Sequence, residues 1–82
     1  MPTVMRIGGF RFFFYSNENK EPKHIHVRSG GGEAKFWLDD VELVWNHGFN
    51  ERQMQEIEAY IRAHQSALID SWVEFFGEEG NG

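Results

Sequence analysis

Apolar residues recur at a spacing of two along the first half of the chain and at spacings of three and four along the second. Successive side chains point to opposite faces of a strand, whereas residues three or four apart share one face of a helix. The change of period therefore predicts a sheet followed by a helix. "TVMRI" (3–7) and "FRFFFYS" (10–16) read as strands joined by Gly8-Gly9, a pair suited to a two-residue primed turn. The polar "NENKEP" (17–22) reads as a loop, and "HIHVR" (24–28) with "EAKFWL" (33–38) as a second hairpin around "SGGG" (29–32). Asp39-Asp40 marks a further turn before a short last strand, "VELVW" (41–45).

The second half reads as one helix. Asn50 is placed to cap it, Gln53 completes a weak capping box, and Phe49 is spaced to staple onto Met54. Met54, Ile57, Ile61, His64, Leu68, Trp72 and Phe75/Phe76 form one apolar stripe that runs to Gly77. From Glu51 to Phe76 such a helix would be roughly 40 Å long at ~1.5 Å per residue. A domain of this size has a radius of gyration near ~12 Å, so the helix must overhang its sheet, bend, or lie on a second molecule. Trp72, Phe75 and Phe76 are too apolar to leave wet, which predicts a partner interface there, with a cognate protein or a second copy.

The expected fold is α+β: a mostly meandering antiparallel sheet of four to five strands, covered on one face by one long C-terminal helix. Residues 1–77 form a single domain, since 82 residues leave no room for a second core, and 78–82 are expected to be a disordered tail. A domain this small buries only ~60% of its unfolded surface, and its 16% aromatic content supplies part of the burial it needs.

Alternation also sorts the polar residues. Ile25 and Val27 take the core face with Ala34, Phe36 and Leu38, and with Phe10, Phe12 and Phe14. The opposite face, left open by a single helix layer, gathers His24, His26, Arg28, Lys35, Arg11, Tyr15 and Trp37. Cations suit phosphates, aromatic rings suit bases, and imidazoles move protons near neutral pH. RNA cleavage without metal needs a base for the 2′-hydroxyl, an acid for the leaving oxygen and a cation on the phosphate, roles that His24, His26 and Arg28 or Lys35 can fill.

Net charge sharpens this reading. The total of −5 divides into +3 over residues 1–38 (six Lys/Arg, three Asp/Glu) and −8 over 39–82 (two against ten). A locally cationic sheet beside an acidic helix can meet a phosphate backbone or a complementary protein. There is no cysteine, which excludes disulfides and thiolate zinc sites and suits a reducing cytoplasm. No apolar run is long enough to span a bilayer and no signal-peptide pattern opens the chain, so a soluble, cytoplasmic protein without membrane contact is expected.

Each feature has a plainer reading. Two histidines two apart on a strand can be ordinary surface or partner-contact residues. As metal ligands they would need His47, Glu33 or Glu21 beside them, and no metal or other cofactor is assigned. Glu33 and Lys35 can be cross-strand charge partners, His47 a turn residue and His64 a seam residue. The glycine loop lacks the lysine and the following helix of a phosphate cradle.

"MPTVMRIGGFRFFFYSNE", "EPKHIHVRSGGGEAKFWL" and "VELVWNHGF" together resemble family 4160 of the bacterial domains of unknown function, over nearly the whole chain. The family's Pro-His-x-His-Val pattern maps onto Pro22, His24, Ile25, His26 and Val27, with Lys23 inserted after the proline. The resemblance implies a small stand-alone protein in a two-gene, toxin–antitoxin-type pair with another small domain, and carries over no catalytic residue. The leading expectation is therefore a toxin–antitoxin component acting on RNA through the open face, with His24 and His26 as proton-transfer groups. In that reading Arg28, Lys35 and Arg11 hold phosphates while Tyr15 and Trp37 stack bases. The alternatives are a non-enzymatic protein-binding module and, behind it, a His/carboxylate metal protein.

Overall fold

The computed structural model describes residues 3–16 and 20–77, so the residues of the expected tail and part of the 17–22 loop lie outside the described residues. Five strands, β1 (Thr3–Ile7), β2 (Phe10–Phe13), β3 (His24–Ser29), β4 (Gly32–Trp37) and β5 (Glu42–His47), are followed by helices α1 (Glu51–Ala63) and α2 (Gln65–Phe76). The strands pair in chain order, every pair antiparallel, as a five-stranded meander. The α+β class and the strand order are those expected.

The first hairpin turns on Gly8 and Gly9, with φ of 61° and 84°. Two consecutive left-handed residues are what a type I′ turn requires, and glycine adopts them without a Cβ penalty. β2 ends at Phe13, three residues earlier than the β-rich run suggests, and β5 begins one residue later, after Val41 at φ 52°.

Both edge strands carry an irregularity. The pairing slips between Thr3 and Met5 on β1, and between Lys35 and Phe36 on β4, where Trp45 and Leu43 are the partners on β5 and Val44 is the extra residue. A bulge twists an edge away from further pairing, which protects an open sheet from adding foreign strands.

The helix-facing side of the sheet holds the core expected from alternation. Phe12, Val27 and Ala34 line up across three strands, Ile25 pairs with Phe36, and all five are buried with Phe10, Phe14 and Leu38. Ile57, Ile61, Leu68 and Trp72 cover them from the helices. Each such side chain gives about 1.5–3 kcal/mol on burial, set against the entropy of ordering the chain.

The single long helix is corrected to two. At His64 (φ −118°, ψ 19°) the backbone leaves helical geometry, and its N–H is shared between the carbonyls of Tyr60 (3.1 Å) and Ile61 (3.2 Å). α2 starts at once, and Gln65 Nε2 donates to the carbonyl oxygens of Leu38 (2.6 Å) and Asp39 (3.0 Å), tying the break to the β4–β5 turn. The ~40 Å helical stretch is thus interrupted at His64. The chain's radius of gyration is 11.8 Å and its longest dimension 35 Å.

The start of α1 follows the sequence closely. Asn50 Oδ1 accepts from the Gln53 N–H (2.8 Å) and the Asn50 N–H donates to Gln53 Oε1 (3.0 Å), a complete capping box. Phe49 sits edge-on to Phe10, ring centroids 5.8 Å apart, and Asn46 brackets it with one hydrogen bond to its N–H and one to its carbonyl.

Candidate functional site

The second face of the sheet is set by register. Arg28 lies opposite Glu33, His26 opposite Lys35 and His24 opposite Trp37, while Phe13 pairs with His26 from the other side. Directly opposed residues of antiparallel strands project to the same face. The structure thus brings together every residue the sequence places on this face, with Phe13 and Glu33 on it by the same alternation, and adds Trp45.

It does not leave the imidazoles open. His24 is 0% exposed and His26 2%. The His26 ring stacks on Phe13 (5.5 Å, 23° between planes) and meets Tyr15 (4.6 Å) and Trp45 (5.8 Å) edge-on or tilted. His24 lies between His26 (5.2 Å), Trp37 (5.9 Å) and Trp72 of α2 (4.8 Å). Its Nδ1–H donates to the carbonyl of Pro22 (2.9 Å), since a carbonyl can only accept, and this fixes the tautomer. The expectation of solvent-accessible histidines is corrected. Alternation assigns a side chain to a face, but the aromatic residues sharing that face seal it.

Two carboxylates sit beside the cations. Arg28 donates to the single oxygen Glu33 Oε1 through both Nε (3.2 Å) and a terminal nitrogen (2.6 Å), while the Tyr15 hydroxyl donates to Glu33 Oε2 (3.0 Å). His26 Nδ1 is 3.7 Å from the same oxygen. Burial pushes the Glu33 carboxyl up. The hydrogen bonds from Arg28 and Tyr15, with the charges of Arg28 and His26, outweigh it and hold the group below the usual carboxylate range. The same hydrogen bond and charge raise the Arg28 guanidinium. At the other end Lys35, largely buried, donates to Glu21 Oε1 (2.5 Å), with its ammonium 5.0 Å from the Trp37 ring centre. Glu21 Oε1 also lies 3.7 Å from His24 Nδ1.

Arg28 and Lys35 therefore reach any phosphate already paired within the chain. Tyr15 and Trp37 are half-buried, Tyr15 engaged with Glu33 and Trp37 beside Lys35 and His24. The cross-strand reading of Glu33 holds, with Arg28 as its partner in place of Lys35. Glu21 as the partner of Lys35 has no signal in the strand pattern, because it lies in the loop. Among the described residues no group of three or more His, Asp or Glu comes together that could hold a metal ion.

Arg11 occupies the outer part of this face, its guanidinium carbon 4.6 Å from the Phe13 ring centre. Of the expected interface residues, Trp72 is wholly buried against Phe14 (5.3 Å) and His24, so its place on an external interface is corrected. Phe76 is half-buried over Trp72 (4.2 Å), and Phe75 is 47% exposed. Phe75 borders a groove of about 240 Å³ with Val4, Phe14, Ser71 and Glu74. Among the described residues no helix is long and apolar enough to cross a membrane.

The family model described as "Domain of unknown function (DUF4160)" matches residues 9–73. The chain belongs to this family. No curated protein and no solved structure matches it. In this DUF4160 domain the matched segment contains both histidines, Glu33 and Trp72, whereas Arg6, Phe75 and Phe76 lie beyond it.

Proposed function

We propose that the chain is the non-enzymatic, protein-binding member of a bacterial toxin–antitoxin-type pair, acting in the cytoplasm. The observation supporting this reading is the sealing of His24 and His26, at 0% and 2% exposure, behind Trp45, Tyr15, Trp37 and Trp72. A general base must come within hydrogen-bond reach of the proton it takes. Here a ribose hydroxyl would reach neither imidazole without displacing packed rings. In this reading the two histidines hold the second face of the sheet together, and the cognate small protein docks at the exposed Phe75 with the neighbouring Phe76. A homodimer through the same residues is the second form of this reading.

Co-expression with the product of the adjacent gene tests it. The two proteins should co-purify. Phe75→Asp should reduce recovery at least tenfold with thermal unfolding unchanged, and Leu43→Asp, at the same 47% exposure, should not. Metal-independent cleavage of RNA by the purified chain, lost in a folded His26→Gln variant, would overturn the proposal in favour of a ribonuclease.

A further inference from the structure

Arg6, Arg11 and Arg28 stand side by side across three adjacent strands. Arg6 pairs with Arg11 in the β1–β2 register, and Arg11 with Arg28 in the β2–β3 register. All three therefore project to one face, the face opposite the helices. Like charges directly opposed across strands cost stability, so two successive arginine pairs are not what packing alone selects. The row borders a groove of about 480 Å³ at the hairpin end of the sheet, which Gly8, Gly9 and Gly30 also line. Those three glycines are exposed, and a Cβ at Gly9 or Gly30 would meet nothing within 4 Å. The groove is open along its rim to an approaching chain.

We infer that this row binds the phosphodiester backbone of nucleic acid, without reading the bases. Neighbouring strands are spaced by ~4.8 Å, so three arginines span about 10 Å. That is longer than one phosphate group and suits a ligand carrying regularly repeated negative charge. Guanidinium forks match phosphate oxygens. Arg28 is already oriented by its two hydrogen bonds to Glu33 Oε1, which leaves it a fixed member of the row. Among the described residues no exposed aromatic ring lines the groove: Phe10, the one ring among them that borders it, is 5% exposed. The stacking platform that single-strand binders use for bases is absent from the lining. The site goes beyond the protein-docking role proposed above and uses none of its residues, so each can fail alone.

Fluorescence anisotropy with labelled 16-nucleotide oligouridine and oligoadenosine tests the inference. Both should bind equally. With Arg6 and Arg11 each neutralising one phosphate, and Arg28 already paired with Glu33, the log–log salt slope should be about −1.4, a loss of roughly sevenfold in affinity between 50 and 200 mM salt. Arg6→Gln and Arg11→Gln should each weaken binding and flatten the slope by about 0.7, the lysine variants should retain part of the affinity, and Arg62→Gln on α1 should change nothing. Absence of binding at 50 mM salt, or equal weakening by Arg62→Gln, would overturn the site. Oligoglutamate of equal charge binding as tightly as RNA would overturn its assignment to nucleic acid and identify an acidic protein surface.

Discussion

The indole of Trp72 packs against the imidazole of His24, ring centroids 4.8 Å apart and both side chains wholly buried. A residue from the far end of α2 thereby touches a residue of the sheet face that faces away from the helices. β2 ends at Phe13, before the residue on which Trp72 packs. Trp72 packs on Phe14 beyond that strand and on His24 at the start of β3, joining the two sides of the sheet. The histidine pair is part of the packing that closes the domain.

Trp72→Ala should cost about 3–5 kcal/mol, the usual range for emptying a buried tryptophan site. That is much of the 5–15 kcal/mol that stabilises a small domain. Urea denaturation followed by circular dichroism should show the midpoint collapse, and Trp72→Phe should fall between the variant and the wild type.

Burial of the imidazoles predicts a reactivity order. Diethyl pyrocarbonate, read by mass spectrometry, should modify the exposed His47 in the folded protein and spare His24 and His26. All should react in urea. Rapid modification of His24 or His26 without denaturant would contradict the sealed site.

The Glu33 carboxyl sits below its ordinary range in the fold, so the unfolded chain binds that proton more tightly and acid favours unfolding. Its contribution is complete above the ordinary glutamate value of about 4.3 and is lost as pH falls through the lower folded value. Glu33→Gln should be less stable than wild type at pH 7, and its urea midpoint should change less between pH 7 and pH 3.

Gly32 and Gly31 are adjacent in the second hairpin, yet a methyl group should matter at only one. A Cβ on Gly32 would stand 2.6 Å from the Phe49 ring, whereas one on Gly31 meets nothing within 4 Å. Gly32→Ala should destabilise by about 1–3 kcal/mol through overpacking and loosen the start of α1. Gly31→Ala should be close to neutral in the same thermal melt.

Asn50→Ala should cost about 1 kcal/mol, since it removes the acceptor for the Gln53 N–H. Thermal unfolding measures this, and Asn50→Asp should retain most of the stability.

Local chemistry made much of this protein legible in its sequence. Period-two alternation placed Phe12, Val27, Ala34 and Phe36 on one face and His24, His26, Arg28 and Lys35 on the other, because strand geometry leaves a side chain no third direction. Gly8-Gly9 and Asn50 with Gln53 announced their turn and cap, since each acts within a few residues of itself. Tertiary structure decided what those patterns could not encode. Whether the helix stays whole could not be read from an apolar stripe that passes through His64, where the backbone leaves helical geometry. Whether the second face is open depended on which residues approach from elsewhere: Glu21 from a loop, Trp45 from β5, Trp72 from α2. Arg6 belongs to the arginine row only through the register of β1 on β2. Alternation fixes the side on which a residue points, and exposure is settled by long-range packing against partners distant in the chain.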